Sequence, residues 1–416
     1  MKSIWAKIIG GSLPLLAVRI ISKLATISVM VFVARRLGKD GFGVYSTILA
    51  ITSLSGTLAD FGLVLPTIRS IAKKDGDEQS EVAATFSARI VWSVVALLLA
   101  TMVGIIYQVS LPVILFFAIS SIMEASSTAL IRSFEGKLEM KTVTFYTFAE
   151  RAAFCAIVLS ALSFFGQLKA VAIATCFSYG LMFLVSLLLF QRRFGRLRLH
   201  FSLSEFGIYS GIGLPFFITV VFSTVYYRAD TLLLGTYRST GEVGVYNVAL
   251  RVIDALMFIP MTAMATILPT LSRLYKSEYP MFLHVFKRSF LVFAAMGFLA
   301  SLCVFSAAPM VIRMLFSSTF DESSGALRVL SIMLTFNFVN WLLSQSLIAI
   351  HKEIHFTAIM ISSAFLSIGG NIFLIPMYGY LGAAWMRVFV ESASCISAAA
   401  ILLWHFKKRT KGILLG

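Results

Sequence analysis

Twelve times along this chain of 416 residues, an apolar stretch of about twenty residues is followed by a short polar turn. Twenty residues of helix span about 30 Å, the hydrocarbon thickness of a bilayer, and inside that layer the backbone must satisfy its own hydrogen bonds. The pattern therefore predicts an all-α, polytopic membrane protein. The stretches run approximately 13–34, 43–65, 85–107, 111–133, 142–165 and 168–190, then 206–232, 243–268, 286–308, 325–350, 355–376 and 381–404. Glu124, Glu150 and Arg151 interrupt the fourth and fifth, the least regular of the set. Composition agrees: 59% of residues are hydrophobic and 13% charged, against about 45–50% and about 25% in soluble domains. The short connections leave no room for a soluble domain.

The net charge of +16 would suggest nucleic acid on a soluble protein. Here its distribution points elsewhere. With the N-terminus in the cytoplasm, 21 Lys and Arg fall on cytoplasmic segments and 6 on outer ones, Arg35, Arg36, Lys39, Lys169, Arg238 and Arg313. The positive-inside rule then predicts both termini in the cytoplasm, with nucleic acid excluded as a partner. Cys155, Cys176, Cys303 and Cys395 sit far apart in apolar runs, which indicates neither a disulfide framework nor a metal site. Arg19 and Lys23 interrupt the first apolar stretch, so no cleavable leader is expected.

An internal repeat divides the chain. Leu37-Gly38 with Gly43-Val44-Tyr45 is echoed by Leu234-Gly235 with Gly244-Val245-Tyr246, and Leu65-Pro66-Thr67 with Lys73 by Leu268-Pro269-Thr270 with Lys276. Gly166-Gln167-Leu168-Lys169-Ala170 is echoed by Gly379-Tyr380-Leu381-Gly382-Ala383. Three collinear matches predict two six-helix lobes, residues 1–198 and 199–416. An even number of helices per lobe makes the repeat parallel, about an axis normal to the membrane.

Enzyme signatures are missing from the sequence. No Gly-rich loop ends in Gly-Lys-Ser/Thr, and no Ser-His-Asp arrangement is suggested. His351 and His355 flank Glu353, but a metalloprotease needs its Glu directly after the first His, so neither catalysis nor a metal is expected. The charges inside the apolar stretches carry the signal, because a charge at bilayer centre costs about 2.5–3.5 kcal/mol and faces a protein interior or a wet cavity. Arg251 and Asp254 are three residues apart, and Arg387 and Glu391 four, so each pair can close on one helix face. Arg228 and Asp230, near the outer end of the seventh stretch, serve either as a latch between lobes or as a solvated rim. Arg19 and Lys23 share a face with no acid three or four residues away. Such a pair suits a phosphate or pyrophosphate. Arg89 and Arg328 also lack local partners but lie near helix ends, where snorkelling explains them, and Arg151 points away from its neighbour Glu150. Glu124, amid Ser120, Ser121, Ser127 and Thr128, is either a packing residue or a site for a proton or sodium ion; Glu150 carries the same two readings. No other cofactor is expected.

Several of these residues carry a resemblance. The turn Ala34-Arg35-Arg36-Leu37-Gly38 with Phe42-Gly43-Val44-Tyr45, then Asp60-Phe61-Gly62-Leu63, and Arg228-x-Asp230-x-x-Leu233-x-Gly235 resemble the polysaccharide transporter family. Leu268-Pro269-x-Leu271-Ser272 and Tyr378-Gly379-Tyr380-Leu381-Gly382-Ala383-Ala384 extend the likeness over nearly the whole chain. That family holds the O-antigen (Wzx-type) flippases of the multidrug/oligosaccharidyl-lipid/polysaccharide superfamily. The resemblance implies a MATE-like pair of six-helix lobes and a cationic cavity in the bacterial inner membrane. It also implies export of an undecaprenyl-pyrophosphate-linked oligosaccharide repeat for lipopolysaccharide or similar surface glycan, in concert with polymerase machinery. By position, Arg19, Lys23, Arg89 and Arg151 would face the substrate.

The function expected from the sequence is thus a non-enzymatic flippase working by alternating access. One alternative is a multidrug exporter of organic cations, disfavoured by the excess of intramembrane cations over free acids. Another is a polysaccharide polymerase or ligase, disfavoured by the want of a large outer loop.

Overall fold

The computed structural model describes residues 2–73, 78–197 and 202–415; the side chains of residues 1–16, 19, 73, 78–80 and 410–415 also lie outside the description. Among the described residues it is helical throughout, with no strand. Ten stretches are long and apolar enough to cross a membrane. Two of them, Ile20–Ala72 and Glu353–Arg409, run 53 and 57 residues, enough for two crossings each. Among the described residues the ten stretches thus have length enough for the twelve crossings that the hydropathy pattern predicts.

The two long stretches break where the sequence places glycine. Helix α1 (Lys2–Asp60) leaves helical geometry at Gly38 (φ 70°, ψ −174°), and α12 (Glu353–Leu415) leaves it at Gly379 (φ 59°, ψ −139°). A side chain disfavours positive φ, so glycine is the natural residue at both turns. After α1 the chain turns through Phe61 (φ 45°) and Gly62 (φ 70°) into the short amphipathic helix α2 (Val64–Lys73). Four helices follow: α3 (Glu78–Ile106), α4 (Leu111–Gly136), α5 (Met140–Phe165) and α6 (Leu168–Phe194). Then come α7 (Leu203–Tyr237), α8 (Thr240–Leu256), α9 (Phe258–Ser277), α10 (Tyr279–Phe316), a 3-10 turn at Ser318–Phe320, and α11 (Ser323–Ala349). The eighth crossing is shared by α8 and α9. Leu65-Pro66-Thr67 falls in α2 and its echo Leu268-Pro269-Thr270 in α9.

The chain forms two compact units, Met1–Thr224 and Val225–Gly416. The border lies inside α7. In unit 1, α1 packs on α3, α4 and α5, and α6 packs on α4 and α5. Its first 22 residues of α7, Leu203–Thr224, seat the turn after α1. The Phe61 ring stacks between Trp92 (centroids 3.8 Å apart) and Phe217 (4.4 Å), and the Trp92 indole N–H donates to Ser210 Oγ at 3.1 Å. The backbones are so close that a Cβ on Gly62 would lie 2.6 Å from both Gly213 O and Phe217 N. In unit 2, α11 is the central helix, against α8, α9, α10 and α12. Gly297 of α10 lets the α11 backbone approach: a Cβ there would meet Leu334 O at 2.9 Å. Small residues at such contacts are how membrane helices gain close packing without a hydrophobic driving force between them.

Each unit also brings an arginine from the turn after its first crossing to a positive-φ glycine between its last two crossings. In unit 1, a Cβ on Gly166 would lie 3.4 Å from Arg36 Nε, and in unit 2, a Cβ on Gly379 would lie 3.7 Å from Arg238 Nε. Gly166 and Gly379 are the glycines that the sequence repeat pairs. Arg238 donates to the carbonyls of Ile375 (3.2 Å) and Pro376 (2.8 Å), and Glu242 accepts from the Tyr380 N–H at 3.1 Å. These bonds satisfy carbonyls and an N–H freed by the break in α12.

Candidate functional site

The charges inside the crossings sort into three groups. The first is on unit 1. Glu124 of α4 accepts a hydrogen bond from the Tyr179 hydroxyl of α6 at 3.1 Å, and the Arg151 guanidinium of α5 stands 4.0 Å from the same oxygen. Arg151 also lies over the Phe154 ring, 5.5 Å from its centroid, and Phe154 leans on Tyr179. The Glu124 side chain is 42% exposed and Arg151 21%, so this group is not sealed in the helix core. Glu150 sits beside it, half-buried. The hydroxyls near Glu124 do not gather on its carboxylate: Ser120 donates to Phe116 O at 2.6 Å and Ser121 to Ala118 O at 2.9 Å, along their own helix. Such back-bonding is the common fate of a helical serine. The partners of Glu124 come from other helices instead.

The second group corrects the sequence reading of Arg89. That residue does not snorkel from a helix end. It is buried in unit 1, 3.0 Å from Asp60, the last residue of α1. Asp60 directly precedes the Phe61-Gly62 turn, so the ion pair and the Trp92–Phe61–Phe217 stack pin the same corner. A buried ion pair of this kind is costly to break from one side, because the remaining charge is stranded.

The third group belongs to unit 2 and corrects two more expectations. Arg387 and Glu391 do not close on each other. The Arg387 guanidinium donates to the Tyr226 carbonyl at 2.7 Å, stands 3.6 Å from Asp230, and lies over the rings of Tyr226 and Tyr227 at 4.4 and 4.9 Å. Glu391 instead accepts from the Tyr226 hydroxyl and, at 3.3 Å, from the Asn340 amide, which also donates to Ser394 at 3.1 Å. Asp230 is not on a solvated rim: it is 1% exposed and accepts from the Tyr246 hydroxyl at 2.5 Å and the Thr231 N–H at 2.7 Å. Arg251 and Asp254 do pair along α8, at 3.3 Å. Arg228, half-buried, has electrostatic neighbours of its own.

The first α1 crossing holds the remaining candidates. Lys23 is exposed and has no carboxylate partner among the described residues, while the Arg19 side chain lies outside them. The side chains of Lys2, Lys7, Lys73 and Lys411, and all of Lys74 and Arg198, are likewise outside. Arg328 rests over the Phe305 ring at 5.8 Å. Among the described residues, no three or more His, Cys, Asp or Glu are grouped to hold a metal ion. Sequence reasoning missed Tyr179, Tyr226, Tyr246 and Asn340. Tyr246 stands in the repeated Gly-Val-Tyr motif, while nothing in the sequence distinguishes Tyr179, Tyr226 and Asn340 from the ordinary polar residues of a membrane helix.

A family profile for polysaccharide biosynthesis proteins matches residues 9–275, well over half of the chain. The chain belongs to that family. Among solved structures it is similar to the lipid II flippase MurJ in an inward closed conformation, with TM-score 0.75 and 14% identity over 96% of this chain and 90% of that one. An inward-facing multidrug resistance MATE transporter of the MOP superfamily also gives TM-score 0.75, with 13% identity over 94% and 96%. A MOP superfamily transporter from Pyrococcus furiosus gives TM-score 0.63, with 13% identity over 97% and 95%. At these identities the likeness is one of fold, and it establishes the MATE-like polytopic architecture. No curated protein sequence matches the chain. The fold is one that those membrane transporters share.

Proposed function

We propose that this chain is a flippase that carries an undecaprenyl-pyrophosphate-linked oligosaccharide, such as an O-antigen repeat, across a bacterial cytoplasmic membrane by alternating access. Its termini would face the cytoplasm, as the distribution of Lys and Arg favours. The observation that carries the reading is an imbalance. The buried cation Arg387 has partners inside unit 2, whereas Lys23 on the first crossing is exposed with no carboxylate among the described residues, and Arg19 lies one helical turn before it in the sequence. Two cations at that place replace the water around a pyrophosphate, and the sugars meet polar side chains while the polyprenyl chain stays in lipid. Arg151, held loosely at 4.0 Å from Glu124, is positioned to give up that contact to an anion. Arg89 takes a different role, pinning the corner after α1.

The energy source follows the same logic. An inside-negative potential favours outward movement of an anion by about 2.3 kcal/mol per charge per 100 mV. A proton or sodium ion at Glu124, with Glu150 beside it, would reset the carrier. The polysaccharide polymerase is the natural recipient of the exported unit.

The test is charge reversal. Strains carrying R19E/K23E should fail to display the surface glycan and should accumulate the lipid-linked repeat on the cytoplasmic side, with normal amounts of protein in the membrane. Unchanged glycan display with both residues reversed would sink the phosphate role. The open acids Glu124 and Glu150 favour a second reading, export of organic cations. That reading gains if overexpression raises drug resistance and the glycan is unaffected by deletion.

A further inference from the structure

The end of unit 2 that carries the C-terminal basic run also collects cations from two other helices. Arg409 of α12 is held between Tyr275 and Tyr279, 4.0 and 4.7 Å from their ring centroids, and the Tyr279 hydroxyl donates to Phe406 O at 3.1 Å. Phe406 in turn packs on Phe282 and Phe286 of α10, with centroids 5.4 and 5.1 Å apart. This aromatic cluster joins the ends of α9 and α12 to the start of α10. Around it stand Lys276, Lys287, Arg288, Lys407 and Lys408, all exposed, and none is ion-paired among the described residues. The acid in their midst is the exposed Glu278. Three basic side chains elsewhere differ: Arg132, Arg193 and Arg313 each lie within 3.0 Å of a carboxylate.

The surface changes character in the same direction along both helices. One turn past Lys287 and Arg288, α10 exposes Leu291 and Val292; one turn before Lys407 and Lys408, α12 exposes Leu403 and Trp404. Lys408 Nζ folds back over the Trp404 ring, 5.5 Å from its centroid, as expected where a tryptophan marks the boundary between headgroup and hydrocarbon. A layer of unpaired cations thus sits directly above a layer of exposed apolar side chains.

We propose that this end of unit 2 is a docking surface for anionic phospholipid headgroups. The phosphates lie against the lysines and arginines and the acyl chains run along Leu291, Val292, Leu403 and Trp404. Clustered cations immediately beyond a membrane helix attract anionic lipid, and an aromatic clamp that immobilises Arg409 lowers the ordering cost of the contact. The surface is built from unit 2 alone, whereas the residues proposed to meet cargo belong to unit 1, so the proposal does not depend on which molecule is carried.

Purified full-length protein in detergent, examined by native mass spectrometry, should retain phosphatidylglycerol on the order of tenfold more tightly than phosphatidylcholine. The variant K276Q/K287Q/R288Q/K407Q/K408Q should lose that preference, and the same five positions with arginine at each lysine should keep it. A control with five cations removed from unit 1, K137Q/K141Q/R192Q/R193Q/R196Q, should behave as wild type. Equal retention of both lipids by the wild type overturns the proposal, as does equal loss in the patch variant and the control, which would make net charge alone responsible. If the patch variant does not fold, the arginine variant and the salt dependence of the wild-type preference decide: a preference unaffected by salt overturns it.

Discussion

The two units differ most in how they hold two of their acids, Glu124 in unit 1 and Glu391 in unit 2. In unit 2, Asp230, Arg387 and Glu391 are each no more than 5% exposed and are joined through Tyr226, Tyr246 and Asn340 into one network. In unit 1, Glu124 is 42% exposed, its arginine stands at the limit of contact, and Lys23 has no acidic partner among the described residues. A buried network with every acid accepting hydrogen bonds holds helices in one arrangement and has little capacity left for a ligand. A half-exposed carboxylate with a loosely held guanidinium retains that capacity. On the function proposed above, this difference would make unit 2 the stiffer partner and unit 1 the one that meets cargo and coupling ion.

Removing the guanidinium from unit 2 is the strongest way to break this comparison. R387M should destabilise the protein by about 3–5 kcal/mol, because two acids lose their buried cation. Thermal unfolding in detergent measures it, and adding D230N to R387M should recover part of the loss. A cost below about 1 kcal/mol would show the network to be dispensable. The corner of unit 1 comes next. G62A should cost about 1–3 kcal/mol, since alanine resists positive φ and its methyl meets Gly213 O. Third, E124Q should leave stability within about 0.5 kcal/mol of wild type while flattening the dependence of transport on proton or sodium gradients; E391Q should do the reverse. Transport assays in proteoliposomes with imposed gradients separate the two outcomes. Smallest is Y179F, expected to cost about 0.6 kcal/mol, the average for a hydrogen bond between membrane helices.

What could be read from the sequence was whatever is encoded locally or periodically. Helix length and apolarity predict the crossings, and the glycines of the repeated turns fall at the two breaks, Gly38 and Gly379. Arg251 and Asp254 pair as their spacing requires, because three residues on one helix fix a distance. Arg387 and Glu391 have equally suitable spacing and ignore it, since α7 offers Arg387 a carbonyl, two aromatic faces and Asp230 at once. Arg89 finds Asp60 on a different helix, and Glu124 finds Tyr179 more than fifty residues away. Choice among partners on different helices depends on rotation and depth of each helix, which hydropathy does not record. The seventh crossing hid most, since nothing in Leu203–Thr224 announces that it completes the first unit.

That last arrangement matters for anyone dividing the gene. The repeat invites a cut between α6 and α7, giving two messages of six helices each. A first fragment ending there would lack Ser210, Gly213 and Phe217, leaving Trp92 and Phe61 facing lipid or water. Such halves should be degraded when expressed alone and should regain function only when co-expressed, the second half lending its opening helix to the first. The sequence repeat and the structural border thus fall at different places, and the first six helices are completed by the opening of the seventh.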